Sequence, residues 1–107
     1  MPNIVVNVNA GVCGFKTVIK ARRDGTKQAS IEFRTTCPNL KPLETELTTA
    51  DAYKECFAKV GEAGIYKVSS KYCRHSACVV PAAILKGIEA ACGLALPRDA
   101  TIEVKPE

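Results

Sequence analysis

The chain begins with runs in which apolar and polar positions alternate, and then changes to runs in which apolar positions recur every three or four residues. Ile4 to Val8 reads IVVNV, a β-rich run closed by the turn-prone Asn9, Ala10 and Gly11. From Phe15 to Arg22 the alternation is regular, with Phe15, Thr17, Ile19 and Ala21 on one side and Lys16, Val18, Lys20 and Arg22 on the other. A period of two marks a strand with one buried face. Asp24-Gly25 is a strong hairpin signal. Ala29 to Arg34 alternates again, with Ile31 and Phe33 facing in and Glu32 and Arg34 facing out. The first third therefore predicts three strands, at least two of them paired antiparallel.

The period then lengthens. Thr35-Thr36-Cys37-Pro38-Asn39 ends the third strand, and Leu40, Leu43 and Leu47 predict a short helix with Pro42 in its first turn. Thr48 or Thr49 is the expected cap of a second helix, with Asp51 in a capping-box position and Tyr53, Cys56, Phe57 and Val60 as its apolar face. Gly61 and Gly64 bracket its end, and Ile65 to Tyr72 reads equally as helix or loop. The best-defined helix runs from about Val80 to Cys92. Pro81 sits in its first turn, Ile84, Leu85, Ile88 and Cys92 line one face, Lys86 and Glu89 fall largely off it, and Gly93 is its C-cap. Thr101 to Lys105 is a candidate last strand. The order predicts an α+β domain over residues 1–107: a small three-stranded antiparallel sheet, with a short fourth strand as an option, and helices packed on one face.

Composition narrows the function classes. The 107 residues are 47% hydrophobic and 24% charged, ordinary for a soluble globular protein. No run approaches the length of a membrane span, and the N-terminal stretch lacks a basic start and a signal-peptide core, so a cytoplasmic location is expected. The net charge of +4 is mild. Lys20, Arg22, Arg23 and Lys27 gather around the hairpin, but Asp24 interrupts them and no aromatic residue interleaves with them to stack bases. This is the pattern of a solvated hairpin tip, not of a nucleic-acid surface, and it leaves an acidic protein partner open.

Six cysteines are many for this length. Without a signal peptide they point to metal binding or redox chemistry more than to disulfides. The absence of any Cys-x-x-Cys pair speaks against a zinc ribbon or a thioredoxin-type site. Cys56 and Cys92 lie on apolar helix faces, where a free cysteine acts as a small hydrophobe. Cys13 and Cys37 fall at element ends, 11 and 12 residues from the Asp24-Gly25 turn, so a hairpin there brings them together. Cys73, His75 and Cys78 lie within six residues, just before the long helix. The unpaired N–H groups and dipole of that helix favour a thiolate at Cys78. Cys13, Cys37 and Cys78 are thus the expected soft-metal or cluster ligands, with His75 or Cys73 as the fourth.

The order of these features, Cys13-Gly14, the Asp24-Gly25 hairpin, Cys37 after the third strand, then His75 and Cys78 opening a long helix, resembles the U-type iron–sulfur cluster scaffold proteins over roughly residues 4 to 95. That resemblance implies three cysteine ligands on a three-stranded sheet backed by helices. Phe15 stands where that family carries an aspartate, and His75 lies three residues before Cys78 instead of adjacent to it. An apolar neighbour at the first cysteine implies a cluster that is held, not readily donated. The chain is also similar to small uncharacterised cysteine-containing proteins of anaerobes.

The leading expectation is an iron–sulfur cluster binding, carrier or assembly protein holding a [2Fe-2S] or [4Fe-4S] cluster and working with an iron–sulfur or sulfur-transfer partner protein. Two alternatives stand beside it. Cys78-Val79-Val80-Pro81 resembles the Cys-Pro-x-Pro helix start of small sulfur-carrier proteins, which makes Cys78 a candidate persulfide carrier. A structural zinc domain is the other. No Ser-His-Asp set, phosphate loop or catalytic carboxylate pair stands out, and a single histidine gives acid–base enzymology little material. Neither a nucleic acid nor a membrane is an expected partner, and the sequence is silent on oligomeric state.

Overall fold

A computed structural model of the chain describes residues 3–107. Met1 and Pro2, the first residues of the stretch read for a signal peptide, lie outside them. Three strands come first: β1 (Ile4–Asn9), β2 (Lys16–Asp24) and β3 (Gln28–Thr35). They form a continuous antiparallel meander, with Val6 opposite Ile19 and Ile19 opposite Phe33. The turn between β2 and β3 falls at Asp24-Gly25 as the alternation predicts. Gly25 takes a φ of 84°, a left-handed conformation that costs a glycine little. Burial follows the period of two: Thr17, Ile19 and Ala21 on β2 and Ala29, Ile31, Phe33 and Thr35 on β3 are buried.

The fourth strand is not the one the sequence suggests. β4 (Thr49–Asp51) pairs antiparallel with the start of β3, Ala50 opposite Ala29, in the order β1-β2-β3-β4. Thr49 is therefore a strand residue, not a helix cap. The cap is Asp51, whose carboxylate accepts from the N–H groups of Tyr53 (3.0 Å) and Lys54 (3.2 Å). Thr101 to Lys105, the expected last strand, has no regular structure, and Ile102 and Val104 are 74% and 89% exposed.

Four helices follow or interrupt the strands: α1 (Leu43–Glu46), α2 (Ala52–Cys56), α3 (Gly64–Ser70) and α4 (Val80–Ala91). The ambiguous stretch after Gly64 is thus helical to Ser70. α2 stops at Cys56, so Phe57 and Val60 never join a buried face and stay exposed, with Tyr53 stacking edge-on to Phe57. The long helix keeps its expected limits, with Cys92 as the C-cap residue. It lies across β1 and β2. Gly87 makes that approach possible, because a Cβ there would stand 3.0 Å from Val6 Cγ2. Ile84 and Ile88 meet Ile19, Phe33, Leu40 and Leu43 in one core cluster, while Leu85 is half-buried at its margin. Burying an isoleucine side chain in this way contributes roughly 1.5–3 kcal/mol. The result is an α+β fold with its helices over one face of a four-stranded antiparallel sheet. Among the described residues, no helix is long and apolar enough to cross a membrane.

Candidate functional site

The register fixes one end of the sheet as the place where cysteines gather. Thr17 pairs with Thr35, and the Thr36 N–H donates to the Lys16 carbonyl, so the start of β2 and the end of β3 lie side by side. Cys13 belongs to the turn that enters β2, and Cys37 to the turn that leaves β3. The buried hydroxyls of Thr17 and Thr35 are 2.8 Å apart beneath this end, and the Thr35 hydroxyl accepts from the Cys37 N–H at 3.1 Å. The same sheet end thus orients the Cys37 backbone.

Cys73 and Cys78 arrive from the loop between α3 and α4. The Cys73 N–H donates to the Ser69 carbonyl, continuing α3 by one hydrogen bond. His75 contributes through its backbone: its carbonyl accepts from the Cys73 thiol at 3.4 Å and from the Cys78 N–H at 3.0 Å. Its side chain belongs to an exposed residue. A short loop closed on one carbonyl therefore holds the two thiols.

Burial first, and then the nearby Cys73 and Cys37, raise the Cys78 thiol pKa. These three residues are half-buried and pack against the edge of the core. Burial is the largest influence on Cys78 and pushes its thiol up. The Val80 N–H, in the first turn of α4, pulls the other way and is outweighed. The helix N-terminus acts in the expected sense, but desolvation, which penalises the charged form, outweighs it. Cys13 is exposed on its turn and is not among the groups that act on Cys78. The structure thus places Cys73 and Cys78 on one loop with Cys37 among the neighbours of Cys78, and leaves Cys13 and His75 exposed.

Among the described residues, no three His, Cys, Asp or Glu side chains are already spaced as ligands of one ion. The donor types fit a thiophilic group, because the neighbours acting on Cys78 include two thiols and no carboxylate. One turn before Cys73, the Ser69 hydroxyl is buried without a hydrogen-bond partner.

Glu46 has no signal in the sequence that ties it to this site. Its carboxylate pairs with Lys71 and accepts from the Tyr72 hydroxyl, across 25 and 26 residues of chain. These hydrogen bonds, Lys71's first, hold the Glu46 carboxyl below the usual carboxylate range. The turn after Cys37 leads into α1, and Tyr72 immediately precedes Cys73, so this contact ties together the two segments that carry the thiols.

A family model matches residues 4–104, and that family is described as one of unknown function (DUF6951). No curated protein and no solved structure matches the chain.

Proposed function

We infer, for a chain that belongs to this family of unknown function (DUF6951), that the thiols at the end of the sheet bind an iron–sulfur cluster, [2Fe-2S] or [4Fe-4S]. On this reading the protein is a cluster-binding, carrier or assembly protein and not an enzyme. The observation that supports it is the placement of Cys73 and Cys78 on one loop held by the His75 carbonyl, with Cys73 and Cys37 behind burial among the influences that raise the Cys78 thiol. Thiol donors without carboxylates are the set that iron–sulfur clusters and zinc take. Cys13 completes four thiols from its exposed turn at the same end of the sheet, with His75 as the alternative fourth donor. A bound cluster supplies electron transfer or is itself the cargo. The chain's own part is to hold the thiols on loops at one end of the sheet and to exclude water from one side. Ligation takes thiolates and burial pushes the Cys78 thiol up, so loading releases protons and strengthens as pH rises. Phe15, half-buried, gives Cys13 an apolar neighbour, which favours retention of the cluster over donation.

The test is anaerobic purification and reconstitution with iron and sulfide, followed by absorption spectra and metal and sulfide analysis. A brown protein is expected, with colour and iron lost in Cys37→Ser, Cys73→Ser and Cys78→Ser and kept in Cys56→Ala. Colourless wild type with bound zinc, lost in the same three variants, replaces the cluster with a structural zinc site. A single added sulfur atom on Cys78 by mass spectrometry makes the protein a sulfur carrier. Iron and sulfide retained in all three Ser variants sinks the assignment of the site.

A further inference from the structure

β1 ends the sheet, among the described residues, with no charge, proline or bulge along its own length. Among the described residues it pairs only with β2. Its sequence, IVVNVN, has no charge and no proline, and its register runs from Ile4 to Asn9 without a bulge. Such an edge presents free N–H and C=O groups as a template for another strand. Its inward side chains are also incompletely covered. Ile4 shares a cross-strand row with Ala21 and Ile31, and Val6 shares one with Ile19 and Phe33. The β2 and β3 members of both rows are buried, whereas Ile4 and Val6 are half-buried. Each row stops one strand short.

Thr101 to Lys105 has the complementary defect. Thr-Ile-Glu-Val-Lys alternates like a strand and is rich in β-formers, yet it has no strand partner among the described residues. Ile102 and Val104 are largely exposed and are spaced by two, like Ile4 and Val6. We propose that Thr101–Lys105 of one copy adds to the β1 edge of a second copy as a fifth strand, with Ile102 and Val104 extending the Ile4 and Val6 rows. Glu103 then faces the outer side of the sheet, where β2 presents Lys16, Lys20 and Arg22. The exchange is reciprocal and closes a two-fold dimer.

Direction favours the second copy over the chain's own edge. The tail leaves α4 beside β3, where the Cys92 thiol reaches the Gln28 carbonyl at 3.7 Å. That is the hairpin-tip end of the sheet, and β1 starts toward the same end, with Ile4 opposite Ala21. A tail that starts from that end and folds back onto its own β1 runs parallel to it, the weaker pairing. A second copy accepts it antiparallel.

The test uses the full chain, by sedimentation equilibrium from micromolar to millimolar concentration and by hydrogen exchange. Wild type is expected to pass to twice the chain mass as concentration rises, with β1 amides protected in step. Ile102→Asp combined with Val104→Asp changes only exposed positions, so the monomer keeps its circular dichroism, while association weakens by roughly tenfold or more and the β1 protection is lost. Wild type remaining at single-chain mass overturns the proposal; β1 protected in that monomer then assigns the tail to its own edge. A dimer undiminished in the double variant also overturns it and places the contact elsewhere.

Discussion

At Cys56 the thiol is pushed up from 9.0 to about 11, first by burial and then by the negative charge of Glu89, with Cys92 and Glu55 adding to it. A thiol that holds its proton more tightly folded than unfolded leaves stability untouched below pH 9, where both states are protonated. Above that pH the unfolded chain ionises first, so stability falls as pH rises toward about 11. Chemical denaturation across this range should therefore show an alkaline loss of stability that is shallower in Cys56→Ala. Equal slopes in the two proteins would refute the assignment. The apolar spacing of Cys56 and Cys92 in the sequence was enough to place them in or beside the core, because helical period reports burial directly. It was not enough for the other four. That Cys73 and Cys78 are held on one loop depends on one carbonyl, that of His75, accepting from both. A histidine among cysteines invites attention to its imidazole, and nothing in residue type announces a role for its backbone.

Among the elements, β1, β2, β3 and α4 were legible because each has a long, clean period and a marked end. β4 was not, and of α2 the presence was legible but not the limits, since together they span only Thr49 to Cys56. The helical period of Tyr53, Cys56, Phe57 and Val60 runs past the true end of α2 at Cys56, and two adjacent threonines imitate a helix cap. Asp51 decides the matter by accepting from Tyr53 and Lys54, which starts α2 late and frees Thr49 and Ala50 to pair with β3. One side chain therefore ends a strand and begins a helix. Asp51→Ala should cost about 1 kcal/mol, read as a lower urea midpoint at unchanged m-value. Asp51→Asn, which keeps an accepting oxygen, should recover most of it. An Ala variant as stable as wild type would mean that strand pairing alone sets this boundary.

Over the whole molecule, α1 works as a brace between the sheet and the thiol loops. Glu44 accepts from the Thr35 N–H at the end of β3, two residues before Cys37. Glu46 binds Lys71 and Tyr72 at the end of α3, just before Cys73. Two carboxylates on one turn of helix thus hold both segments that meet at the site. The pairing of Glu46 is exposed, so its loss should alter global stability little. Local opening is a different quantity: a loop can loosen severalfold in population while the core stays closed. Glu46→Ala should therefore leave the denaturation midpoint nearly unchanged, yet let a thiol reagent at fixed neutral pH modify Cys73 severalfold faster. Cys78, its direct neighbour, should follow, and Cys56, held beside the core away from this brace, should not. Site-resolved mass spectrometry over a labelling time course separates the cases. Uniform acceleration at all cysteines would indicate global unfolding, and no acceleration at Cys73 would show that the His75 loop holds its thiols without help from α1.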